Sequence, residues 1–304
     1  MKLQLLAIAS FLLPSALLTA QAERITIRMT PAPNQTLHVR TTMELTMSMA
    51  PDPAAADALP IPPMTTGMTT IAENTSTVSP TNDQGHYQAR VVCDSASFTA
   101  TMNGQPTPIP SPVAQVVGQV VTFFYDDQGK VIDVTTESSP TDSRLRGALT
   151  ANAAAAPLKQ MLTGALAAAP PMALSVGETA TVPTQLNLPL AAGAADTAMS
   201  MSGETRYTLT SVTFDGADRI AHLAMTMTGA LNHGIPAGGD GSKIAVDTRM
   251  TSEGTSDVNV DRGIVLHNEQ RMTIDGSMRF ELGNAPTPPM RIHATMKMSA
   301  DLTK

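Results

Sequence analysis

The stretch from Leu37 to Met49 constrains the fold most strongly, because its apolar and polar side chains alternate without a break. Its odd positions hold Leu, Val, Thr, Met, Leu, Met and Met, and its even positions hold His, Arg, Thr, Glu, Thr and Ser. A period of two is typical of a β-strand with one buried and one wet face. The pattern returns in at least four later segments. The sequence therefore predicts a mainly β protein with a large antiparallel sheet and one apolar face.

The N-terminus has the composition of an export signal. Lys2 supplies a positive charge, Leu5 to Leu18 is apolar, and Ala20-Gln21-Ala22 is a small-x-small cleavage site. We expect residues 1–22 to be a signal peptide, and the mature chain to reach the periplasm or to be secreted. No later segment approaches the ~18 consecutive apolar residues of a membrane-spanning helix, so no transmembrane segment is expected after cleavage.

Charge and cysteine content narrow the functional classes. The formal net charge is −7, and no basic run exceeds two residues. Proteins that bind nucleic acid carry a basic patch instead, so nucleic acid is not an expected partner. Cys93 is the only cysteine, which excludes an intrachain disulfide. Its apolar, strand-like surroundings predict a small buried residue rather than a reactive thiol.

The mature chain is predicted to be a single β-rich domain, residues 23–304. It divides into two β halves, 23–138 and 175–304, joined by a helical insert at 139–170. In the insert, apolar residues recur at helical spacing after Pro157: Leu158, Met161, Leu162, Ala165 and Leu166. We expect about eleven to thirteen strands. They form a strongly curved antiparallel sheet or an incomplete barrel, with the short helical segment packed on the apolar face.

Several local features follow from turn and strand signals. Two β-rich runs flank Asp126-Asp127-Gln128-Gly129 and predict a hairpin. Tyr87–Cys93 and Phe98–Met102 are interpreted as two separate short strands. The apolar face shifts between Leu209 and Val212, which indicates a bulge. A bend is expected near Gly254, because the surrounding run is too long for one straight strand.

No motif in the chain indicates catalysis or a bound cofactor. The six histidines have no pair at metal-ligand spacing and are interpreted as solvent-facing. The segment Asp257 to Gly263 begins like a calcium loop, but it lacks the Gly and Glu that such a loop needs at its sixth and twelfth positions. No nucleophile elbow, phosphate loop or dinucleotide fingerprint occurs. We therefore expect a protein that is not an enzyme and has no cofactor.

Methionine is the unusual component, with 20 residues in a chain that has no Trp and only three Tyr. Four Met-x-Met pairs place two thioethers on one strand face. Met makes adaptable apolar surfaces and fills cores where aromatic rings are absent. Three interpretations remain open: a lining for a hydrophobic ligand, a closed dry core, and a soft-metal site, since thioethers suit Cu(I).

A resemblance adds to this interpretation. Val117-Gly118-Gln119, then Phe124-Tyr125-Asp126-Asp127-Gln128-Gly129-Lys130-Val131, then the insert and Val176-Gly177-Glu178-Thr179, resemble a family of exported β-rich bacterial proteins of unknown function. In layout the chain also looks like the periplasmic lipoprotein-localisation carriers, whose curved antiparallel sheet holds acyl chains under a helical lid. The resemblance implies a concave sheet and a lipid-like ligand. No individual binding residue carries over, and this chain is longer, lacks Trp and is richer in Met.

The leading functional hypothesis is therefore an exported, non-enzymatic binder or carrier of a hydrophobic small molecule or a lipidated protein. The residues predicted to line the ligand site are Met43, Leu45, Met47, Met225, Met227, Met296 and Met298. The rival hypothesis is a structural or interaction module in which the same residues form a closed core and the loops carry the function.

Overall fold

The computed structural model describes residues 23–53, 62–107, 117–137, 171–189, 198–236, 243–282, 285–286 and 288–303. These residues form β-strands joined by turns and contain no α-helix. The predicted signal peptide and the predicted helical insert at 139–170 lie outside the described residues. Within the part that is described, no helix has the length and apolar character needed to cross a membrane.

Fifteen strands follow one another along the described chain. They are β1 Ile25–Ile27, β2 Gln35–Pro51, β3 Met64–Val78, β4 Tyr87–Met102, β5 Gln105–Pro106, β6 Val120–Tyr125, β7 Val131–Glu137, β8 Met172–Leu174, β9 Thr179–Pro189, β10 Ala198–Asp215, β11 Asp218–Pro236, β12 Lys243–Asn259, β13 Ile264–Leu282, β14 Ala285–Pro286 and β15 Met290–Thr303.

Thirteen of the strands form one antiparallel sheet, which we name the large sheet. Its order is β7-β6-β4-β3-β2-β15-β13-β12-β11-β10-β9, with β5 paired to β4 and β14 paired to β13. Neighbours in this order are mostly consecutive in the chain, as short antiparallel connections require. Within the described residues the sheet is open, ending at β7 and at β9. The prediction of a large antiparallel sheet is confirmed.

The pairing of β15 with β2 joins the two halves of the chain. The last strand lies against the long strand from which the sequence argument began, and Lys297 stands opposite Glu44. The charged residues of β15 share one face of the sheet, so the period of two holds along the whole strand. A slip of one residue would turn every apolar side chain to the wrong face, which fixes the register.

The tightest core lies at one end of the large sheet. There the two-stranded β1–β8 ribbon packs against strands β10, β11 and β12. Ile27 on β1, Leu209 on β10 and Val258 on β12 are fully buried. Short apolar segments such as β1 are stable only with this packing, because an isolated two-stranded ribbon is marginal in water. A smaller cluster near the β7 edge includes Tyr87 and Tyr125, which stack with ring centroids 4.9 Å apart.

Local irregularities fall partly where the sequence predicts them. The predicted hairpin around Asp126–Gly129 is present as β6 and β7, and the predicted bulge lies between Leu209 and Ser211. The prediction of two strands within residues 87–102 is wrong, because β4 is continuous there. Asp94 is an extra residue in its ladder with β3. It accepts a hydrogen bond from the Thr75 hydroxyl at 2.6 Å, so the polar break in the pattern is a bulge and not a turn.

Glycines lie where neighbouring strands approach closely. A Cβ atom added to Gly254 would overlap the carbonyl oxygen of Glu269 on β13, and one added to Gly276 would overlap that of Asp247 on β12. Glycine is needed at such positions because it alone lacks a Cβ. Strand β12 continues through Gly254, where the backbone of β13 approaches closely. The bend expected near Gly254 stays a prediction.

Candidate ligand-binding face

The methionines of the large sheet whose side chains are described lie on one of its two faces, which we name the methionine face. Directly opposed residues of an antiparallel pair project to the same side, and the register therefore assigns each side chain to a face. The methionines with described side chains on this face are Met43, Met47, Met49, Met64, Met68, Met102, Met225, Met227, Met250, Met272, Met278, Met290, Met296 and Met298.

All seven residues predicted from the sequence belong to the methionine face, where they form two groups. On β2 and β15, Met43 is opposite Met298, Leu45 is opposite Met296, and Met47 is opposite Ala294. Met225 and Met227 lie on β11, which β12 and β13 separate from β15. At ~4.8 Å per strand the two groups are about 14 Å apart.

Residues between these groups complete the face. Met272 on β13 is opposite Met296 on one side and Ser252 of β12 on the other, and Ser252 is in turn opposite Met227. One row of side chains thus crosses the sheet from β11 to β2. Met272 and Ser252 are not among the residues predicted from the sequence, because cross-strand register between distant segments cannot be read from periodicity alone.

Most of the predicted residues are only partly buried. Met225 is buried, with 7% of its surface exposed, while the other six are intermediate. Side chains at the β1–β8 end of the sheet, such as Leu209 and Leu223, are essentially inaccessible. The methionine face is therefore a dry core at one end and a partly accessible apolar surface along the strands beyond it.

Charge is segregated from this surface. On β12, β13 and β15 the described charged side chains lie on the opposite face, where Lys297 Nζ is 3.3 Å from Glu269 Oε1. Three histidines on that face each pair with an aspartate of a neighbouring strand through Nδ1 at 2.6–2.7 Å: His222 with Asp257, His267 with Asp301, and His293 with Asp275. Ionised groups cost several kcal/mol when buried without partners, so this segregation keeps the methionine face apolar.

One of the histidine pairs extends into a hydrogen-bonded line. His222 Nε2 is 2.8 Å from Thr213 Oγ1, while His222 Nδ1 is 2.7 Å from Asp257. Hydroxyl, imidazole and carboxylate occur in this order in serine hydrolases. The same His–Asp contact recurs twice elsewhere on the sheet. The contact between His222 and Asp257 is therefore one instance of a repeated cross-strand pairing. These His–Asp pairs are not predictable from the sequence, because they depend on the register between neighbouring strands.

The polar side chains of the calcium-like segment, Asp257 to Gly263, bond to other protein side chains. Asp257 bonds His222, the Asn259 amide donates to Asp218 at 2.8 Å, and Asp261 pairs with Arg219 at 2.6 Å. The hydrogen bonds from Arg219 lower the pKa of Asp261. Within the described residues, no cluster of three His, Cys, Asp or Glu side chains could hold a metal ion.

The methionine face also carries uncharged polar side chains, among them Ser252 and Cys93. The hydroxyl of Ser252 is buried and has no hydrogen-bond partner among the described residues. Cys93 is opposite Asn74 and is only partly buried, in contrast to the buried position that the sequence predicts. Burial, together with the charge of Asp94, raises the pKa of its thiol. A raised pKa lowers the fraction of thiolate, which is the nucleophilic form of cysteine.

The cavities found along the described residues border little of the predicted lining. Three open cavities of about 590, 380 and 300 Å³ lie along the described residues. Of the seven predicted residues, only Met227 borders one of them, the cavity of about 380 Å³. Met250 borders the cavity of about 590 Å³ beside Gly203 and Gly229. Apart from Met227, the predicted residues do not border these three cavities along the part of the chain that the structure describes.

Comparison with known sequences identifies no family for the chain. No protein-family model matches it, and no curated protein matches it. The resemblance to an exported family and to the localisation carriers therefore stays a prediction. The strand arrangement defines the class: a mainly β protein with a large, open antiparallel sheet.

Several solved structures show distant similarity. One, described as lipid–protein interactions in lipovitellin, covers 90% of this chain at 10% identity with a TM-score of 0.46, and this chain spans 25% of its length. The β domain of the Bordetella autotransporter BrkA covers 88% of this chain and 100% of its own at 9% identity, with a TM-score of 0.21. Pseudomonas aeruginosa OpdQ covers 89% and 100% at 7% identity, with a TM-score of 0.23. Scores this low do not show a shared fold.

Proposed function

We propose that the mature chain is an exported, non-enzymatic protein that binds a hydrophobic, lipid-like ligand, or the acyl group of a lipidated partner, on its methionine face. The observation that carries this proposal is the segregation of the sheet. Its described methionines share one face, most of the predicted lining is partly accessible, and the described charged side chains of β12, β13 and β15 lie on the other face. The export signal pattern at residues 1–22 supports the location.

The chemistry of the face suits acyl chains of varied shape. Met is unbranched and has three rotatable side-chain bonds, so a methionine surface can adjust to its ligand. Each buried methylene of a ligand contributes about 0.8 kcal/mol. The row from Met227 on β11 to Leu45 on β2 crosses five strands. At ~4.8 Å per strand this row is about 19 Å long, which is enough for a fatty acyl chain to lie across the strands.

The rival function, a structural module with a closed core, makes a different demand on the same residues. A closed core would bury Met43, Met296 and Met298 as completely as Leu209 is buried. The partial exposure of these methionines supports a binding surface instead. Open cavities do not enclose them, so the proposal is for a ligand that lies on the sheet.

Neighbouring residues on β2 provide a matched test. Leu45 projects from the methionine face opposite Met296, and Thr46 is exposed on the other face. A carboxylate at Leu45 would have to be desolvated under an acyl chain, which costs well over 1.4 kcal/mol. We expect Leu45→Glu to weaken binding of a fluorescent fatty acid at least tenfold, with Thr46→Glu changing it less than about twofold.

Binding is measured by titration of the purified protein with the fluorescent fatty acid, and co-purified lipid by native mass spectrometry. Circular dichroism confirms that both variants are folded. Wild-type protein that carries no lipid and has no affinity for the probe would contradict the proposal. Equal binding of the fatty acid by the two variants would show that the ligand does not bind on the methionine face.

A further inference from the structure

We propose that the methionine face also binds the soft monovalent cation Cu(I), held by the thioether cluster of Met43, Met272, Met296 and Met298. This function is independent of lipid binding, because it depends on sulfur donors and not on apolar area. The four residues come from three adjacent strands, β2, β15 and β13.

The register brings the thioethers within reach of one ion. Met43 is directly opposite Met298, and Met272 is directly opposite Met296. Met296 and Met298 are two residues apart on β15 and therefore project to the same side. Opposed Cβ atoms are about 5 Å apart, and diagonal neighbours about 7–8 Å apart. A flexible Met side chain can span such distances, so three or four sulfur atoms can converge above β15.

The donor set selects the metal. Thioether sulfur is a neutral, soft ligand that favours Cu(I), whereas Zn²⁺, Ca²⁺ and Mg²⁺ require imidazole, thiolate, carboxylate or carbonyl groups. The charged side chains nearest to the cluster on its own strands, such as Lys297, Arg271 and Glu44, lie on the opposite face. Cu(I) carries a single positive charge, which costs less to hold at an apolar surface than the double charge of Zn²⁺, Ca²⁺ or Mg²⁺.

Partial exposure gives the ion access. All four side chains of the thioether cluster are intermediate in burial. Other methionines are less well placed: Met68, Met102 and Met225 have no methionine directly opposite them. In a second group, the pairs Met49–Met64 and Met278–Met290 are connected only by a diagonal between Met49 and Met290. The thioether cluster is more compact than that group, because two of its members share one strand.

The test is titration of the wild-type protein with Cu(I) alone, under anaerobic conditions, in competition with a chromophoric Cu(I) chelator. The variant Met43→Leu/Met296→Leu/Met298→Leu removes three thioethers and keeps the apolar surface. The matched control Met68→Leu/Met102→Leu/Met225→Leu removes the same number of thioethers from positions without an opposed methionine. X-ray absorption at the copper edge identifies the donor atoms.

We expect wild type and control to withdraw about one equivalent of Cu(I) from the chelator, and the cluster variant to lose at least tenfold in affinity. Met298→Leu alone should show a smaller loss in the same direction. The copper should have sulfur neighbours. Failure of the wild type to compete, or equal binding by the cluster variant and the control, would overturn the proposal. Cu(I) and the fluorescent fatty acid are titrated separately on the wild-type protein, which separates the fate of this proposal from that of lipid binding.

Discussion

Met43 on β2 and Met298 on β15 stand directly opposite each other on the same face of the sheet, although they come from opposite ends of the chain. They belong to the pairing of β2 with β15, which joins the N-terminal and C-terminal strands and which we name the seam. It also brings Met-rich segments from both halves of the molecule onto one apolar surface. The proposals for lipid and for Cu(I) both depend on this seam.

The buried end of the sheet should be the source of most of its stability. Leu209 is 0% exposed and packs in the cluster with Ile27 and Leu223, whereas Phe214, on the same strand, is 71% exposed. Leu209→Ala should lower the free energy of unfolding by about 2–5 kcal/mol through lost contacts and a residual cavity. Phe214→Ala should change it by less than about 0.5 kcal/mol. Urea denaturation measures both, and similar losses would place the core elsewhere.

Close strand contacts should make one glycine far less replaceable than another. A Cβ at Gly276 would overlap the backbone of Asp247 and lie 2.6 Å from Thr248 Cα, whereas at Gly229 the nearest atoms, Met250 Cε and Ser202 O, are 3.3 Å away. Gly276→Ala should therefore cost about 1–3 kcal/mol of stability. Gly229→Ala should cost less than about 1 kcal/mol. Thermal unfolding of both variants checks the order, and a reversed order would contradict the register of β12 with β13.

The individual strands and their apolar faces could be predicted from the sequence, but the pairing of distant strands could not. Alternation at Leu37–Met49 was sufficient to predict the strand, its apolar face and the antiparallel class, because the period of two is a local property. The Asp126–Gly129 hairpin and the bulge after Leu209 were predictable for the same reason. The seam between β2 and β15 was not, since nothing in a strand's own pattern identifies its distant neighbour.

The same limit applies to the site. Periodicity could place the lining residues of each strand on one face of that strand. Their common face across strands and their division into two groups depend on strand order and register. The line from Thr213 through His222 to Asp257 joins three strands and has no signature in the linear sequence. The continuity of β4 through residues 87–102 was not predicted, because the bulge at Asp94 interrupts the alternation of apolar and polar side chains.

The burial of Tyr125 should make the stability of the protein fall at alkaline pH. Burial raises the pKa of Tyr125 from 10.0 to about 12, and the charge of Tyr87 adds to the rise. Because the folded state holds this proton more strongly than the unfolded chain, the associated stability is fully present below pH 10 and is lost as the pH rises towards 12. The loss should be about 2–3 kcal/mol. Tyr125→Phe should show a shallower decline in denaturant experiments from pH 9 to 12, and an unchanged slope would contradict this assignment.

Removing the unpaired hydroxyl of Ser252 should not destabilise the protein. A buried hydroxyl without a hydrogen-bond partner carries a desolvation cost of about 1–3 kcal/mol. Ser252→Ala should therefore leave the free energy of unfolding unchanged or raise it by about 1 kcal/mol. Ser256→Ala is the comparison, because the Ser256 hydroxyl lies 3.5 Å from the His267 carbonyl oxygen. A loss of more than about 1 kcal/mol in Ser252→Ala would show that the hydroxyl is bonded in solution.

Oxidation of the methionines is the most direct measurement of whether the methionine face is an accessible binding surface. Hydrogen peroxide converts accessible Met to the sulfoxide, and peptide mass spectrometry gives the rate at each residue. In lipid-free protein, Met43, Met296 and Met298 should oxidise faster than Met172 and Met225, which are 5% and 7% exposed. A saturating fatty acid should slow only the first group. Equal protection of both groups in the lipid-free protein would show a closed core and contradict the account.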